Sequence, residues 1–164
     1  MSEPSPVLRQ PHERVSSRAR LMWTVTDLVR AALITAAIVV TGRVWNWYPV
    51  PVWLLVAVVV VLLAYAALVP QWRYLVHRWE VTETAVYTQT GWWSRERRIA
   101  PMSRVQTVDH EEGAIARLFG LATVRVTTAS AAGALTIEGL DQQRALDIVA
   151  ELTRMADTVP GDAT

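Results

Sequence analysis

The chain has 164 residues, a formal net charge of +1 and no cysteine. The absence of cysteine excludes disulfides, thiolate nucleophiles and cysteine-ligated metal sites. All 16 basic residues are arginine, so a P-loop lysine and a lysine Schiff base are excluded as well. Residues 71–164 carry ten arginines against twelve acidic residues, a net charge of −2. We therefore expect no nucleic-acid partner, because phosphate binding needs a concentrated positive surface.

Two apolar stretches, residues 21–42 and 50–70, predict two transmembrane helices. Residues 50–69 carry no charge, and a helix of about 20 residues at 1.5 Å each spans roughly 30 Å, one hydrocarbon core. The connection between the stretches is short, so an antiparallel hairpin is expected. A cleaved signal peptide is disfavoured by the 20-residue tail in front and by the second span directly behind.

The first apolar stretch contains one acidic and one basic residue, Asp27 and Arg30. Spaced three apart, they lie on one face of a helix. Both are near its N-terminal end, where an arginine side chain can extend to the headgroups. We interpret them as an interfacial charge pair, and a proton or substrate relay is the alternative.

Arginine placement predicts the orientation of the hairpin. Four arginines precede the first span and two follow the second, whereas the connecting loop has only Arg43. The positive-inside rule therefore predicts a multi-pass protein of the plasma membrane with both termini in the cytoplasm. Aromatic residues that favour the headgroup zone flank the spans: Trp23, Trp72 and Tyr74 on the cytoplasmic side, and Trp45, Trp47, Tyr48 and Trp53 on the other.

Residues 71–156 have the pattern of a small α+β domain, and disordered tails are predicted at 1–20 and 157–164. Alternating and β-branched segments predict strands at residues 79–82, 85–89, 95–99, 104–109, 123–128 and 134–138. Residues 113–119 predict a short helix that Gly120 closes. Asp141 is the predicted N-cap of an amphipathic final helix. The apolar face of that helix comprises Ala145, Ile148, Val149, Leu152 and Met155.

Three segments resemble the bacterial pleckstrin-homology domain of YdbS-like membrane proteins. They are the strand–turn–strand around Gly91, the run Ile-Ala-Pro at 99–101 followed by Arg-Val-Gln-Thr-Val at 104–108, and the run Leu-Phe-Gly-Leu-Ala-Thr-Val-Arg-Val at 118–126. With its two spans, the resemblance covers most of the chain. It implies a small pleckstrin-homology-like β-barrel capped by the C-terminal helix, and a larger, multi-domain membrane relative as partner. It implies no catalytic residue.

The densest group of potential acids, bases and metal ligands is Asp-His-Glu-Glu at residues 109–112. Successive side chains on a strand point to opposite faces, so few of the four can converge. The three histidines show no metal-ligand spacing, and no phosphate loop, nucleophile elbow or HExxH motif occurs. We therefore expect no enzyme activity, no metal and no cofactor, with an enzyme built on residues 109–112 as the alternative.

The candidates for membrane or lipid contact lie on and beside a predicted hairpin, residues 91–98: Trp92, Trp93, Arg95, Arg97, Arg98 and Arg104. Tryptophan favours the headgroup layer, and each arginine near an anionic leaflet contributes about 1 kcal/mol. In the alternative interpretation, one tryptophan fills the domain core and the arginines form a solvated strand face.

Together these patterns predict a membrane-anchored, non-catalytic interaction module. Its domain is expected at the inner membrane face, against the lipid bilayer and bound to a partner membrane protein, with no small-molecule substrate. The slightly negative charge of the domain favours a protein partner. Two alternatives stay open: an anionic-lipid headgroup sensor acting through residues 92–98, and an accessory subunit of a transporter.

Overall fold

The computed structural model describes residues 10–45, 49–91, 93–129 and 133–158. The predicted features at residues 1–9 and 159–164, and at Trp47, Tyr48 and Trp92, lie outside the described residues. The described chain forms a helical hairpin, two antiparallel sheets and a C-terminal helix.

Two long helices form the hairpin. Helix α1 (Ser17–Val39) continues into a π-helical turn (Val40–Val44), and helix α2 spans Val52–Val76. Both are long and apolar enough to cross a membrane, and many of their large apolar side chains are exposed. Exposed aliphatic faces of this length are expected where lipid is the solvent.

The helix boundaries differ from the predicted ones. Helix α1 begins at Ser17 rather than residue 21, because the Ser16 side chain accepts a hydrogen bond from the Arg18 amide and caps the helix. Helix α2 continues through Pro70, which is buried, as far as Val76. Proline has no backbone N–H, so α2 lacks one backbone hydrogen bond at Pro70 but continues for six more residues. Residues 71–76 therefore belong to the hairpin rather than to the domain.

Part of the predicted disordered tail is ordered. Strand β1 (Glu13–Arg14) pairs antiparallel with β2 (Arg78–Val81). Trp79 Nε1 donates a hydrogen bond to the Arg14 carbonyl oxygen at 3.3 Å, and Val15 is buried. The prediction of disorder is therefore wrong for residues 13–20, because a two-residue strand and a helix cap hold them on the domain.

The strands form two antiparallel sheets. The first has the order β1-β2-β3-β4 and the second the order β5-β6-β7. A 3-10 turn (Met102–Arg104) joins the sheets, and the short helix α3 (Ala114–Leu118) joins β5 to β6. The remaining strands are β3 (Ala85–Thr90), β4 (Glu96–Pro101), β5 (Val105–Glu111), β6 (Leu121–Thr128) and β7 (Leu135–Asp141). The predicted α+β class is confirmed.

The domain is pleckstrin-homology-like, but its sheets do not close into one barrel. Strands β4 and β7 are edge strands of different sheets in the described chain. Arg98 on β4 donates to the carbonyl oxygen of Ala134, just before β7, at 3.3 Å. A side chain, rather than a backbone ladder, therefore joins these two edges.

Helix α4 (Gln142–Thr158) covers the sheets with its predicted apolar face. Ala145, Ile148 and Leu152 are fully buried. They share one core with apolar side chains of both sheets and of the start of α1: Trp79, Val86, Ala100, Met102, Leu121, Val124, Val126, Leu135, Ile137, Leu140, Val15, Ala19 and Trp23. Asp141, directly before α4, accepts a hydrogen bond from the Ser16 hydroxyl at 2.9 Å.

Gly139 on β7 permits a close approach between the hairpin and the domain. Its φ is +76°, and a Cβ at this position would lie 2.7 Å from the Cβ of Ala19. Ala19 is fully buried, and the Gly139 carbonyl oxygen accepts a hydrogen bond from the Ser16 amide at 2.8 Å. A glycine is needed here both for the backbone conformation and for the close approach.

Gly139→Ala is expected to lower the thermal stability of the full-length protein more than Gly133→Ala does. Both glycines have a positive φ, so each substitution costs about 1 kcal/mol in backbone strain. Only the methyl group at 139 meets a buried neighbour, which adds about 1–3 kcal/mol, whereas a Cβ at 133 has nothing within 4 Å. Thermal unfolding in detergent, followed by circular dichroism, measures the difference. Equal destabilisation of the two variants would contradict close packing of α1 on β7.

Candidate functional site

A cleft of about 460 Å³ lies where the helical hairpin meets the sheets. We call it the junction cleft. Helices α1 and α2 form one wall, and strands β3, β4 and β7 form the other. Its charged lining residues are Asp27, Arg30, Arg73, Glu96, Arg98 and Glu138. Charges from a membrane helix and from a soluble domain therefore face the same space.

The charges of the junction cleft are paired. Arg30 Nη1 lies 3.3 Å from Asp27 Oδ1, one turn earlier on α1. Arg98 Nε donates to Glu96 Oε1 at 2.6 Å on β4. The third pair, Arg73 with Glu138, joins α2 to β7. Three arginines and three carboxylates balance, so the cleft is dipolar rather than basic.

Arg73 makes the contact between the end of α2 and the second sheet. Its Nη2 donates to Glu138 Oε2 on β7 at 2.7 Å, and its guanidinium lies 4.4 Å from the ring centroid of Trp23 on α1. Because both partners are partly exposed, the ion pair contributes at most about 1 kcal/mol. Its main effect is to hold a guanidinium between the two helices and β7.

His77 directly follows α2 and is buried beside Trp23, with the ring centroids 5.3 Å apart. Its Nδ1 lies 3.1 Å from the Arg73 carbonyl oxygen. Burial and, next, the positive charge of Arg73 lower the pKa of His77 to about 4, against the opposing effect of that hydrogen bond. His77 is therefore neutral at pH 7 and adds no charge to the junction cleft.

A buried glutamine connects the end of α2 to β4. Gln89 Nε2 donates to the Val76 carbonyl oxygen at 3.0 Å, and Gln89 Oε1 accepts from Arg97 Nε at 2.9 Å. The amide thus uses its donor on α2 and its acceptor on β4. These two bonds tie the arginine-bearing edge of the first sheet to the membrane helix.

Trp93, a predicted lipid-contact residue, lies beside α2. Its side chain is 89% exposed and lines an apolar groove of about 700 Å³, which we call the α2 groove. The other lining residues all come from α2: Ala64, Tyr65, Leu68, Val69, Gln71, Trp72 and Leu75. Its predicted neighbour at the tip, Trp92, lies outside the described residues.

Three of the four predicted arginines come together. Arg97, Arg98 and Arg104 line a smaller cleft of about 270 Å³, the arginine cleft, which also contains Gly133 of the β6–β7 connection. Arg98 lines both this cleft and the junction cleft. Arg95 is exposed on the turn between Trp93 and β4.

The four residues 109–112 do not converge on one point. Glu111 pairs with Arg125 on the neighbouring strand at 2.8 Å, whereas Glu112 lies 3.8 Å from His110 Nε2. Alternation along β5 directs His110 and Glu111 to opposite faces, as expected. Within the described ranges, no group of three His, Asp or Glu side chains is placed to hold a metal ion.

Sequence reasoning missed Arg73, His77 and Glu138 as parts of a site. Arg73 and His77 are four residues apart at the end of an apolar stretch, and this spacing was the only signal available. Glu138 is 65 residues from Arg73 in the chain. Only the packing of β7 on α1 brings the three side chains together, and no local pattern encodes it.

Comparison with known protein families identifies this architecture. A family model described as the bacterial PH domain matches residues 19–156. The chain belongs to the bacterial PH domain family. The matched region starts in the first turn of α1 and ends in α4, so it includes the helical hairpin and every strand except β1.

A relative of this bacterial PH domain protein gives the same result. Transmembrane protein YdbS of Bacillus subtilis (strain 168) is 30% identical over 158 residues, which cover 90% of this chain and 96% of YdbS. The predicted YdbS-like membrane protein with two apolar helices is therefore confirmed. No solved structure matches the chain.

The stability of this bacterial PH domain protein is expected to fall as the pH is lowered from about 6.5 to about 4. In the unfolded chain His77 binds a proton below about pH 6.5, whereas in the folded protein its pKa is about 4, so it binds the proton only near that pH. The stability that neutral His77 provides is therefore complete above pH 6.5 and decreases by about 3 kcal/mol across this window.

Thermal unfolding in detergent as a function of pH measures this effect. His77→Gln is expected to flatten the dependence of stability on pH between pH 6.5 and 4. The control, His12→Gln, replaces an exposed histidine directly before β1 and is expected to keep the wild-type slope. A wild-type slope in His77→Gln would show that another group causes the acid sensitivity.

Proposed function

We propose that this chain is a membrane-anchored, non-catalytic interaction module of the plasma membrane. Both termini lie in the cytoplasm, and the bacterial PH domain is held against the cytoplasmic leaflet. The β3–β4 turn, with Trp93 and Arg95, contacts the lipid headgroup layer. The dispersal of residues 109–112 and the pairing of the charges in the junction cleft support a binding function rather than catalysis.

The position of Trp93 along α2 is the observation that carries this proposal. From Val52 to Trp72, α2 rises about 30 Å, the thickness of one hydrocarbon core. Trp72 therefore falls at the hydrocarbon boundary on the side of the domain. Trp93 lines the same groove as Trp72, and its ring is almost entirely exposed. A tryptophan at this depth has the environment that its amphipathic ring prefers.

Arginine placement supports the cytoplasmic orientation. Three arginines lie before or in the first turn of α1: Arg14, Arg18 and Arg20. At the same end of the hairpin, Arg73 lies in the last turn of α2 and Arg78 follows that helix. The packing of β1 on β2 keeps these arginines on the same side as the domain. The positive-inside rule places that side in the cytoplasm.

The absence of cysteine makes a direct test possible, because a single introduced cysteine reports one position. In proteoliposomes, a spin label at Trp93→Cys is expected to collide mostly with oxygen, as labels at the hydrocarbon boundary do. The same label at Arg154→Cys, on α4, is expected to collide mostly with a water-soluble nickel complex. Equal nickel accessibility at the two sites would refute contact between the β3–β4 turn and the headgroups.

Labelling in intact cells tests the orientation. A membrane-impermeant maleimide is expected to react with Pro49→Cys, in the connection between the spans, and not with Arg154→Cys until the cells are opened. The reverse pattern would place the bacterial PH domain outside and remove the cytoplasmic part of the proposal.

A partner membrane protein is the second candidate ligand, and helix α3 favours it. Ile115 and Leu118 on α3 are 46% and 83% exposed, although they belong to the domain and not to the hairpin. Three residues apart, these two side chains lie on one face of α3, and contiguous exposed apolar surface is characteristic of protein contact sites. A photo-crosslinking residue at 118 is expected to give one protein adduct of defined mass in cells, with none from position 154. Adducts with lipid alone would assign α3 to the bilayer instead.

A further inference from the structure

The two walls of the junction cleft present opposite charges to a ligand. On the helical wall, the Asp27 side chain is 13% exposed and the Arg30 side chain 70%, so this wall offers positive charge. On the sheet wall the carboxylates are more exposed than the arginines they pair with. Glu138 is 44% exposed against 34% for Arg73 of the helical wall, and Glu96 is 55% exposed against 43% for Arg98.

These charges are also ordered by depth. The hairpin is antiparallel, with Arg20 beside Tyr74 and Trp23 beside Arg73, so Arg30, later on α1, lies further into the membrane than Arg73. Glu96 and Glu138 are on strands of the domain. With the proposed orientation, positive charge is therefore presented nearer to the acyl chains and negative charge further out.

The geometry points to the junction cleft as a binding site for a phospholipid whose headgroup carries both a phosphate and a primary amine, as in phosphatidylethanolamine. The phosphate, which is attached next to the acyl chains, meets the guanidinium of Arg30, whose long and exposed side chain extends toward the headgroups. The ammonium group extends outward to Glu96 and Glu138. This assignment rests on the proposed function, because it requires the domain to face the headgroup layer.

The balance of charges in the cleft favours a zwitterion over an anion. An anionic headgroup would meet as many carboxylates as arginines, and neutral His77 supplies no additional positive charge. A headgroup with both charges satisfies both walls and leaves no buried charge unpaired, which is the condition for a charged ligand to bind in a partly desolvated site.

The acyl chains have a place adjacent to the cleft. Tyr65 and Val69 line both the junction cleft and the α2 groove, so the two spaces adjoin. The groove is lined by Leu68, Trp72 and Trp93 and runs along a membrane helix. An acyl chain of the bound lipid thus leaves the cleft past Tyr65 and enters the membrane end of the groove, at Ala64 and Leu68.

Native mass spectrometry of the full-length protein in detergent micelles tests this assignment. The protein is mixed with phosphatidylethanolamine, phosphatidylcholine or phosphatidylglycerol carrying identical acyl chains. We expect phosphatidylethanolamine to bind about tenfold more tightly than phosphatidylcholine, because a trimethylated amine donates no hydrogen bond to a carboxylate. Phosphatidylglycerol, which lacks the amine, is expected to bind more weakly as well.

Two cleft variants and one control separate the contributions. Glu138→Gln is expected to weaken phosphatidylethanolamine binding about tenfold, the cost of losing one charged hydrogen bond. Arg30→Gln is expected to weaken the binding of all three lipids, since each carries a phosphate. Glu111→Gln removes a similar exposed Glu–Arg pair outside the cleft and is expected to leave lipid binding unchanged.

Four results would overturn the assignment. The first is equal binding of the three lipids, and the second is unchanged selectivity in Glu138→Gln. The third is a wild-type preference for phosphatidylglycerol, which would favour the arginine cleft as an anion site. The fourth is equally tight binding of soluble glycerophosphoethanolamine, which would show that the ligand is not a lipid. The depth of the spin label at position 93 distinguishes failure of this assignment from failure of the proposed function. A label at the hydrocarbon boundary, combined with no lipid selectivity, rejects only the lipid assignment. A label in the aqueous phase rejects the proposed function.

Discussion

The packing of Ala19 against Gly139 places the first turns of a membrane helix inside the core of a soluble domain. Ala19 is fully buried, and Val15 and Trp23 belong to the same apolar cluster as the side chains of both sheets and α4. A small residue on α1 and a glycine on β7 make this approach possible. Because the helix enters the core rather than following a linker, the domain's orientation relative to the hairpin is determined by packing.

The polar contacts act on top of this packing. Arg73 pairs with Glu138, and Gln89 joins Val76 to Arg97, so α2 is connected to β7 and β4 respectively. Such contacts add little stability individually when they are partly exposed. Their effect is to position charges, and the junction cleft is the result. The same packing brings Trp93 alongside α2, so the groove and the cleft have a common physical origin.

Much of the fold could be predicted from local patterns. Two long apolar runs, alternating strands and the helical spacing of Ala145, Ile148 and Leu152 depend only on neighbours in the chain. Strand β1 could not be predicted, because two residues carry no periodicity. The continuation of α2 through Pro70 was also missed, since a proline normally favours a helix end and only the surrounding structure overrides it.

The candidate site was less predictable than the fold. Asp27 and Arg30 were identified because they are neighbours on one helix, and Trp93 because two tryptophans at a turn are conspicuous. Arg73 and Glu138 were missed because their contact depends on the packing of α1 against β7. Residues 109–112 drew attention by composition alone, and strand geometry separates their side chains. Composition indicated where charges occur, whereas only tertiary packing determined which of them meet.

The hairpin and the domain form one rigid unit, and a distance between them tests this directly. Two spin labels, at Leu33→Cys on the exposed face of α1 and at Arg154→Cys on α4, can be introduced into the cysteine-free chain. Pulsed electron paramagnetic resonance of this variant in lipid nanodiscs is expected to give a single narrow distance distribution. A broad or multimodal distribution would show that the domain moves freely on the hairpin, and would contradict a cleft of defined shape between them.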